Sequence, residues 1–381
     1  MAVLKIFPEK DATLYSSYPN MNTGLDEIIE ATTTTVAYSV PNPQASRFVI
    51  QFNDAELSSS ISLIPTTQYN SGSWKAQLQC FVAIAEGLNL DTTVKCFPLA
   101  NPWGMGTGRY LDNPIVTNGT SWNWSNYSGS TAWTSSIPSG ATASYSSSAS
   151  PGGGVWYTGS QYSSSVTFTY RTDKDINLDV TNTVKAWTTS SGNIPTQRLT
   201  NYGFILKQDV EFVDSNSYQT ELKYFSVDTN TIYPPALQIS WDDFIWNTGS
   251  STQRVLNTLP ATITLAQNPG TFYSSSINRF RINARPEYPI QLWQTESVYT
   301  NNFYLPSGSS YWALKDLETN EYIVDFDSNY TKISADATSS YFDLHMYFLQ
   351  PERYYTILVQ STIDGSTIVF NDQYYFKVIN G

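Results

Sequence analysis

The sequence predicts an all-β protein with one short helix, and three observations predict it. Charged residues make up 14% of the chain, against about 25% in an average soluble protein. Tyrosine (27) and tryptophan (11) are abundant instead, a composition that favours extended strands over helices. Apolar residues recur with a period of two in runs such as SRFVIQF, KAQLQCFVAIA and NYGFILK, the signature of strands with one buried face. Asn, Gly and Pro interrupt these runs at short intervals, as turns between strands require.

Taken in order, residues 1 to about 124 read as β. Cys80 and Cys96 fall on the apolar parity of two strand-like runs joined by GLNLD, so they are placed to face each other across a hairpin. Without a secretion signal they are expected as reduced core thiols. Residues 125 to about 165 are rich in Ser and Gly with interspersed aromatic rings. A stretch of this length and composition is expected to be a surface excursion, linker or partner-binding arm. Its own apolar content is too small to offset the cost of ordering it, so a neighbouring subunit is expected to order it through Trp133, Trp156 and Tyr157. Next comes DINLDVTNTVKAW, which changes period partway. Ile176, Leu178 and Val180 alternate as a strand, after which Val180, Val184 and Trp187 share one helical face, with Thr181 or Asn182 as the cap. NYGFILK then returns to strand, and Pro234 and Pro235 confine PPALQISWDD to an edge or a strand start.

The character of the chain changes after WDDFIWNTGSSTQ, which divides it into residues 1–243 and 244–381. In the second part, ILVQSTIDGSTIVF places two strand runs around Asp364-Gly365, a pair suited to the positive φ angles of a type I′ turn. In that register Val359 faces Phe370. Upstream, Phe342, Leu344, Met346 and Phe348 alternate against Tyr341, Asp343, His345 and Tyr347. Leu349, Pro351 and Tyr355 follow with the spacing of a tyrosine corner, in which a phenol hydrogen-bonds to upstream backbone. Corner, strand and hairpin in this order resemble a fibronectin type III or immunoglobulin-like β-sandwich.

Five motifs of the first part invite a family comparison: FPEKDATLYSSYPNMNTGLDEIIE, ASRFVIQFN with its R-x-x-x-x-F spacing, INLDVTNTVKAW, NYGFILK, and KYFSVDTNTIYPPALQISWDD. Together they resemble the DNRLRE-type domain related to carbohydrate-binding modules, over roughly residues 7 to 243. The resemblance implies a jelly-roll-like β-sandwich closed at one end by the short helix. SVDTNTIYPP departs from the acidic and basic pair usual before the last strand, and the Ser/Gly-rich excursion has no common counterpart. Joined to the second domain, the chain resembles virion structural proteins of tailed bacteriophages. That implies a non-enzymatic component of the neck, tail, baseplate or fibre attachment, assembled in the host cytoplasm. Its partners would be other virion proteins and copies of itself in a homo-oligomer. The alternative is a carbohydrate-binding module or adhesin that recognises a cell-surface glycan.

Charge and residue types narrow the chemistry. The net charge of −12 with no basic run repels phosphate backbones and argues against nucleic acid. No 18-residue apolar run offers a membrane span. His345, the only histidine, lies on the polar parity of its run and is expected as an exposed or interface side chain, which leaves Ser-His-Asp and Cys-His chemistry without a base. Among carboxylates, Asp173, Asp175, Asp242 and Asp243 are the candidates for a glycosidase pair, yet the first two alternate outward and the adjacent second two diverge if extended. No catalytic residue, cofactor or metal site is therefore expected. The aromatic residues Trp103, Tyr110, Trp122, Trp124, Trp133, Trp156 and Tyr157 are the candidate interface or glycan residues. Core packing, a protein interface and sugar stacking each account for such rings.

Overall fold

The protein is all-β. Its structure, a computed structural model, describes residues 2–38, 40–88, 90–142, 152–188, 198–211, 220–251, 253–266, 269–288 and 302–381. Residues 143–151 of the Ser/Gly-rich stretch and 189–197 after the helix lie outside the described residues, as does Thr252 at the division between the two parts. Among the described residues the longest α-helix has 9 residues, and strands form most of the regular secondary structure. Two compact units emerge: Ile6–Leu63 with Lys75–Ile239, and Ser240–Gly381 with Met1–Lys5 and Ile64–Trp74.

In the larger unit one sheet runs in the order Ser164–Phe168, Thr92–Pro98, Phe204–Gln208, Val40–Gln51, Ile28–Tyr38, Thr220–Phe225, Val82–Glu86. Val40–Gln51 is long enough to serve two sets of partners. Its first half pairs with Ile28–Tyr38 and its second with Lys10–Tyr15 and Phe204–Gln208. A second sheet places Trp74–Cys80 between Ala236–Trp241 and Ile176–Asp179. The period of two decides burial: Trp74–Cys80 and Thr92–Pro98 bury every second residue, and Leu78, Val94, Phe48, Ile50, Leu206 and Leu222 are fully enclosed.

Both cysteines are free and buried, but they do not face each other across a hairpin. Cys80 stands opposite Ile176, while Cys96 stands opposite Ser164 and Leu206. The cause is the strand Val82–Glu86, which leaves for a different partner, Thr220–Phe225. Burial raises both thiols above their ordinary range, so they stay protonated and poorly nucleophilic.

The period change at 175–187 produces a strand, Ile176–Asp179, and an α-helix, Thr181–Thr188. Val180, Val184 and Trp187 are buried, and the Trp187 ring packs 4.7 Å from Phe204. Capping differs in detail from expectation. Asp179 Oδ1 accepts the Thr181 amide at 3.0 Å and also the Thr181 hydroxyl at 2.6 Å. Thr181 Oγ1 is thereby free to accept the Ala76 amide at 2.9 Å, which ties the helix start to the neighbouring strand.

Two sheets also build the smaller unit. One is ordered Ala261–Ala266, Ile277–Pro286, Ser340–His345, Ser334–Ala335, and the other Thr271–Tyr273, Tyr375–Ile379, Tyr354–Ile363, Ser310–Asp316, Tyr322–Val324, with Ser366–Phe370 also on Tyr354–Ile363. Aromatic rings bind one sheet to the other. Phe342 stacks on Phe280 (5.4 Å) and on Trp312 of the facing sheet (4.9 Å), and Phe280 meets Phe376 at 5.8 Å. The hairpin forms at Asp364 and Gly365, both at positive φ, in the register that sets Val359 against Phe370.

Tyr355 is 2% exposed and donates its hydroxyl to the Gln350 carbonyl at 3.2 Å. The bond spans five residues and closes the turn before the strand. Tyr355→Phe keeps the ring and removes the donor, and is expected to cost about 1–2 kcal/mol, measured as a lower urea midpoint for this unit. An unchanged midpoint would mean the hydroxyl does not hold the corner.

His345 is not exposed. It is buried, with Trp241 packed edge-on 5.7 Å away. Parity fails here because Ser340–His345 is an interior strand between Ile277–Pro286 and Ser334–Ala335, and its polar face is covered as well. On that face Arg279 lies 4.0 Å over the Tyr341 ring and pairs with Asp343 at 2.8 Å. Burial lowers the His345 imidazole to about 4, so it stays neutral.

Candidate functional site

The seven candidate aromatic residues separate into core and rim. Trp103, Trp122, Trp133 and Trp156 are buried together with Leu14, Val49, Leu99 and Ile205 in one cluster. Two of the indole N–H groups are used internally: Trp103 donates to the Tyr202 carbonyl at 2.9 Å and Trp133 to the Ser121 carbonyl at 2.8 Å. This corrects the expectation that a neighbouring subunit orders the Ser/Gly-rich stretch through Trp133 and Trp156. Both rings are held by the unit's own core, and Trp156–Tyr157 pairs with Ala141–Thr142. Trp124 and Tyr157 are half-buried, Trp124 donating to Asn20 Oδ1 at 3.1 Å. Only Tyr110, 44% exposed, offers an open ring.

Arg47, from the R-x-x-x-x-F motif, organises part of this core. Its guanidinium lies 4.8 Å from the Trp122 ring and 5.0 Å from the Trp156 ring. It forms a two-pronged pair with Glu211, Nε to Oε1 at 3.0 Å and Nη2 to Oε2 at 2.8 Å, and Nη1 donates to the Gly153 carbonyl at 2.7 Å. Gly153 must be glycine: its φ is +73° and an added Cβ would fall 2.8 Å from the Trp122 ring.

A second buried polar residue sets Tyr110. Asn22 donates through Nδ2 to the Met105 and Thr120 carbonyls (2.6 and 2.8 Å) and accepts the Gly108 amide at 2.8 Å. Gly106, at φ +81°, comes so close that a Cβ there would lie 2.3 Å from Asn22 Oδ1. The segment after Trp103 is thus fastened to the segment after Tyr18, and the Tyr110 amide reaches Asp26 Oδ2 at 3.2 Å.

Tyr110 forms the lip of a cleft of about 360 Å³ lined by Tyr15, Ser17, Tyr18, Glu30, Thr32, Gln44, Ala45, Glu221 and Lys223. The ring lies 4.9 Å from Tyr15 and 6.2 Å from Tyr18, the latter at 85°. The floor is a patch of sheet: Lys223 stands opposite Glu30 and Glu221 opposite Thr32. Lys223 Nζ lies 3.4 Å from Glu30 and 3.5 Å from Glu221. Burial would lower the Lys223 ammonium, but the two carboxylates outweigh it and raise it. Burial raises Glu30 in spite of Lys223. Apart from Tyr110 none of these residues stands out in the sequence, because Glu30 and Lys223 meet only through strand pairing.

The smaller unit carries a different surface. On the outward face of its larger sheet, Thr271 pairs with Lys377 and Lys377 with Tyr354. In the next row Tyr375 pairs with Thr356, Thr356 with Lys315, and Lys315 with Tyr322. Tyr273, two residues on from Thr271, shares the face. These four tyrosines are between 40% and 57% exposed, and Lys377 and Lys315 lie over the Tyr354 and Tyr322 rings at 5.9 and 5.5 Å.

Three of the four carboxylates considered for catalysis accept backbone amides. Asp175 Oδ1 accepts the Val82 amide at 2.7 Å, Asp173 Oδ1 accepts the Lys174 amide at 2.7 Å, and Asp242 accepts the Phe244 amide at 2.9 Å. Among the described residues no group of three or more His, Cys, Asp and Glu side chains is placed to hold a metal ion, and no helix is long and apolar enough to cross a membrane. No family model, curated protein or solved structure matches the chain.

Proposed function

We propose that this chain is a non-enzymatic structural subunit of a tailed-phage particle, joined to other virion proteins and to copies of itself through protein–protein surfaces. The observation that carries the reading is the tyrosine face of the smaller unit. Tyrosine supplies wide, rigid contact area with few torsions to freeze, and it is enriched where proteins meet. Four such rings on one sheet face, with two lysine stems laid across them, give a neighbour both apolar area and cationic contacts at the rim. The sequence resemblance supplies the kind of assembly, and this face supplies the means of joining it.

Purified particles are expected to contain the chain in stoichiometric amount. The paired change Tyr354→Ser with Tyr375→Ser removes two exposed rings, so the unfolding free energy should change by no more than about 0.5 kcal/mol per substitution. Incorporation into particles should fall at least tenfold, since truncating a central interface tyrosine typically costs ~2 kcal/mol. Particles that lack the protein, or that incorporate the double variant at the normal level, would overturn the proposal.

A further inference from the structure

The structure assigns a carboxylate to a cleft on the smaller unit's other sheet: we infer that the Arg285 guanidinium, with Thr262, Thr264, Asn283 and Asn302 around it, binds one carboxylate group presented from outside the chain. This goes beyond the assembly reading and does not depend on it, since the tyrosine face belongs to the opposite sheet.

The strand Ile277–Pro286 has a period of two that sends Phe280, Ile282 and Ala284 into the core and Arg279, Arg281, Asn283 and Arg285 to the outer face. Two of these arginines are each satisfied by one carboxylate, held fork to fork. Arg279 donates through Nε and Nη2 to Asp343 at 2.8 and 2.9 Å, and Arg281 through Nη1 and Nη2 to Asp336 at 3.0 and 2.9 Å. The third has no such partner. Among the described residues the exposed Arg285 side chain makes no ion pair or hydrogen bond. Glu287, two residues on, donates its amide to the Pro260 carbonyl and does not pair with it.

The cause lies in the sheet. Ser340–His345 pairs with Ile277–Pro286 only as far as Ile282. Residues 302 and 303 then take its place: the Ala284 amide donates to Asn302 Oδ1 at 2.8 Å, and the Ala284 carbonyl accepts the Phe303 amide at 2.7 Å. That replacement brings an amide beside Arg285 and no carboxylate. On the other side Thr262 stands opposite Arg285, and Thr264 opposite Asn283. Together these residues line a cleft of about 350 Å³, and no acidic side chain is among the described residues that line it. Its volume is within the ~300–1,000 Å³ of small-molecule sites.

The donors select the ligand by charge and shape. A guanidinium presents paired N–H groups that match the two oxygens of a carboxylate, the geometry Arg279 and Arg281 already adopt. Asn302, its oxygen occupied by Ala284, has its NH₂ to offer, and Asn283 and the two threonine hydroxyls can donate to the remaining lone pairs. A cation finds no carboxylate in this cleft. A tetrahedral dianion would bring two charges to one cation, on a chain whose net charge is −12. A single carboxylate is balanced. A free small acid and an acidic side chain of a neighbouring protein both present that group.

The test is a titration of the full ¹⁵N-labelled chain at constant ionic strength, read from the Arg285 Nε–H resonance, which is identified by its absence from Arg285→Lys. The probes are butyrate as a free acid, the capped peptide acetyl-Gly-Glu-Gly-amide as a side-chain carboxylate, sulfate as a tetrahedral dianion, and butyramide as an uncharged control. Expected is a saturable shift with one or both carboxylates, several-fold weaker binding of sulfate, and no shift with butyramide. Tighter binding of the peptide assigns the site to a protein neighbour, and tighter binding of butyrate to a free acid. In the variants, the backbone amides of 262–264 and 283–285 report binding. Arg285→Lys keeps the charge, loses the fork and should weaken the carboxylate at least tenfold. Asn302→Asp keeps the acceptor for Ala284, sets an internal carboxylate beside Arg285 and should abolish binding. The unfolding midpoint should hold in Arg285→Lys, whose side chain has no partner to lose. No saturable shift with either carboxylate, sulfate binding as tightly as both, or unchanged affinity in Arg285→Lys would overturn the assignment. None of these outcomes bears on the presence of the chain in particles.

Discussion

Replacing Arg47 with methionine is expected to cost the larger unit about 3–5 kcal/mol, the scale on which breaking a buried ion pair destabilises a fold. The side chain is fully enclosed, and Glu211 is 6% exposed. Burial alone would raise the Glu211 carboxyl, yet Arg47 and Lys207 together hold it below its usual range. Without the guanidinium, Glu211 keeps only Lys207 at 2.9 Å, and the Gly153 carbonyl loses its donor. Two indoles also lose the cation between them. The loss should therefore exceed that of an ordinary surface salt bridge, which is worth about 0–1 kcal/mol. Adding Glu211→Gln to Arg47→Met removes the stranded charge and should recover a substantial part of the stability. Urea unfolding followed by tryptophan fluorescence reads both effects, since Trp122 and Trp156 flank the site. A loss under about 1 kcal/mol for Arg47→Met would show that the pair does not hold this core together.

Physical locality explains what the sequence disclosed. Alternation survives folding wherever a strand keeps one covered face, so Phe342, Leu344 and Met346 could be read as core from parity alone, and all three are buried. The Asp364-Gly365 hairpin was equally legible, because a two-residue turn fixes its own dihedrals and with them the register. His345 was misread because parity reports which residues share a face, while coverage of that face depends on partners distant in sequence. The tryptophans of residues 103–156 were obscured by the same limit: turn-rich sequence suggests surface, but Asn22 and Arg47 fasten these turns onto the sandwich from far upstream. The cleft was the least legible feature. Its floor exists only where Ile28–Tyr38 meets Thr220–Phe225, and neither strand carries a local mark of that encounter.

The two units are expected to respond to pH in opposite directions. Asp11 in the larger unit is 1% exposed. Its Oδ2 accepts the Val227 amide at 2.7 Å, and burial, with Asp228 and Asp26 adding to it, pushes the carboxyl up to about 8. In the unfolded chain an aspartate releases its proton near ~3.9. Between those values the folded state holds a proton that the unfolded state lacks, so this contribution is fully present below about 4. It falls by up to ~1.4 kcal/mol per pH unit as pH rises toward 8. Glu30, Asp26 and Asp228, also raised by burial, act with the same sign. His345 in the smaller unit has the reverse linkage. Buried and held neutral down to about 4, it takes up a proton on unfolding at any pH between there and ~6.5, so its contribution is present above that range and lost as pH falls through it. Asp336, which its bond to Arg281 holds down to about 2, extends that loss to still lower pH. Calorimetric scans from pH 4.5 to 6.5 should therefore show one transition moving down in temperature as pH rises and the other moving up. Asp11→Asn should flatten only the first, since the amide can still accept from Val227 without ionising, and His345→Gln only the second. If both transitions shift the same way, or if Asp11→Asn leaves the slope of the larger unit intact, the buried carboxyl does not govern its stability.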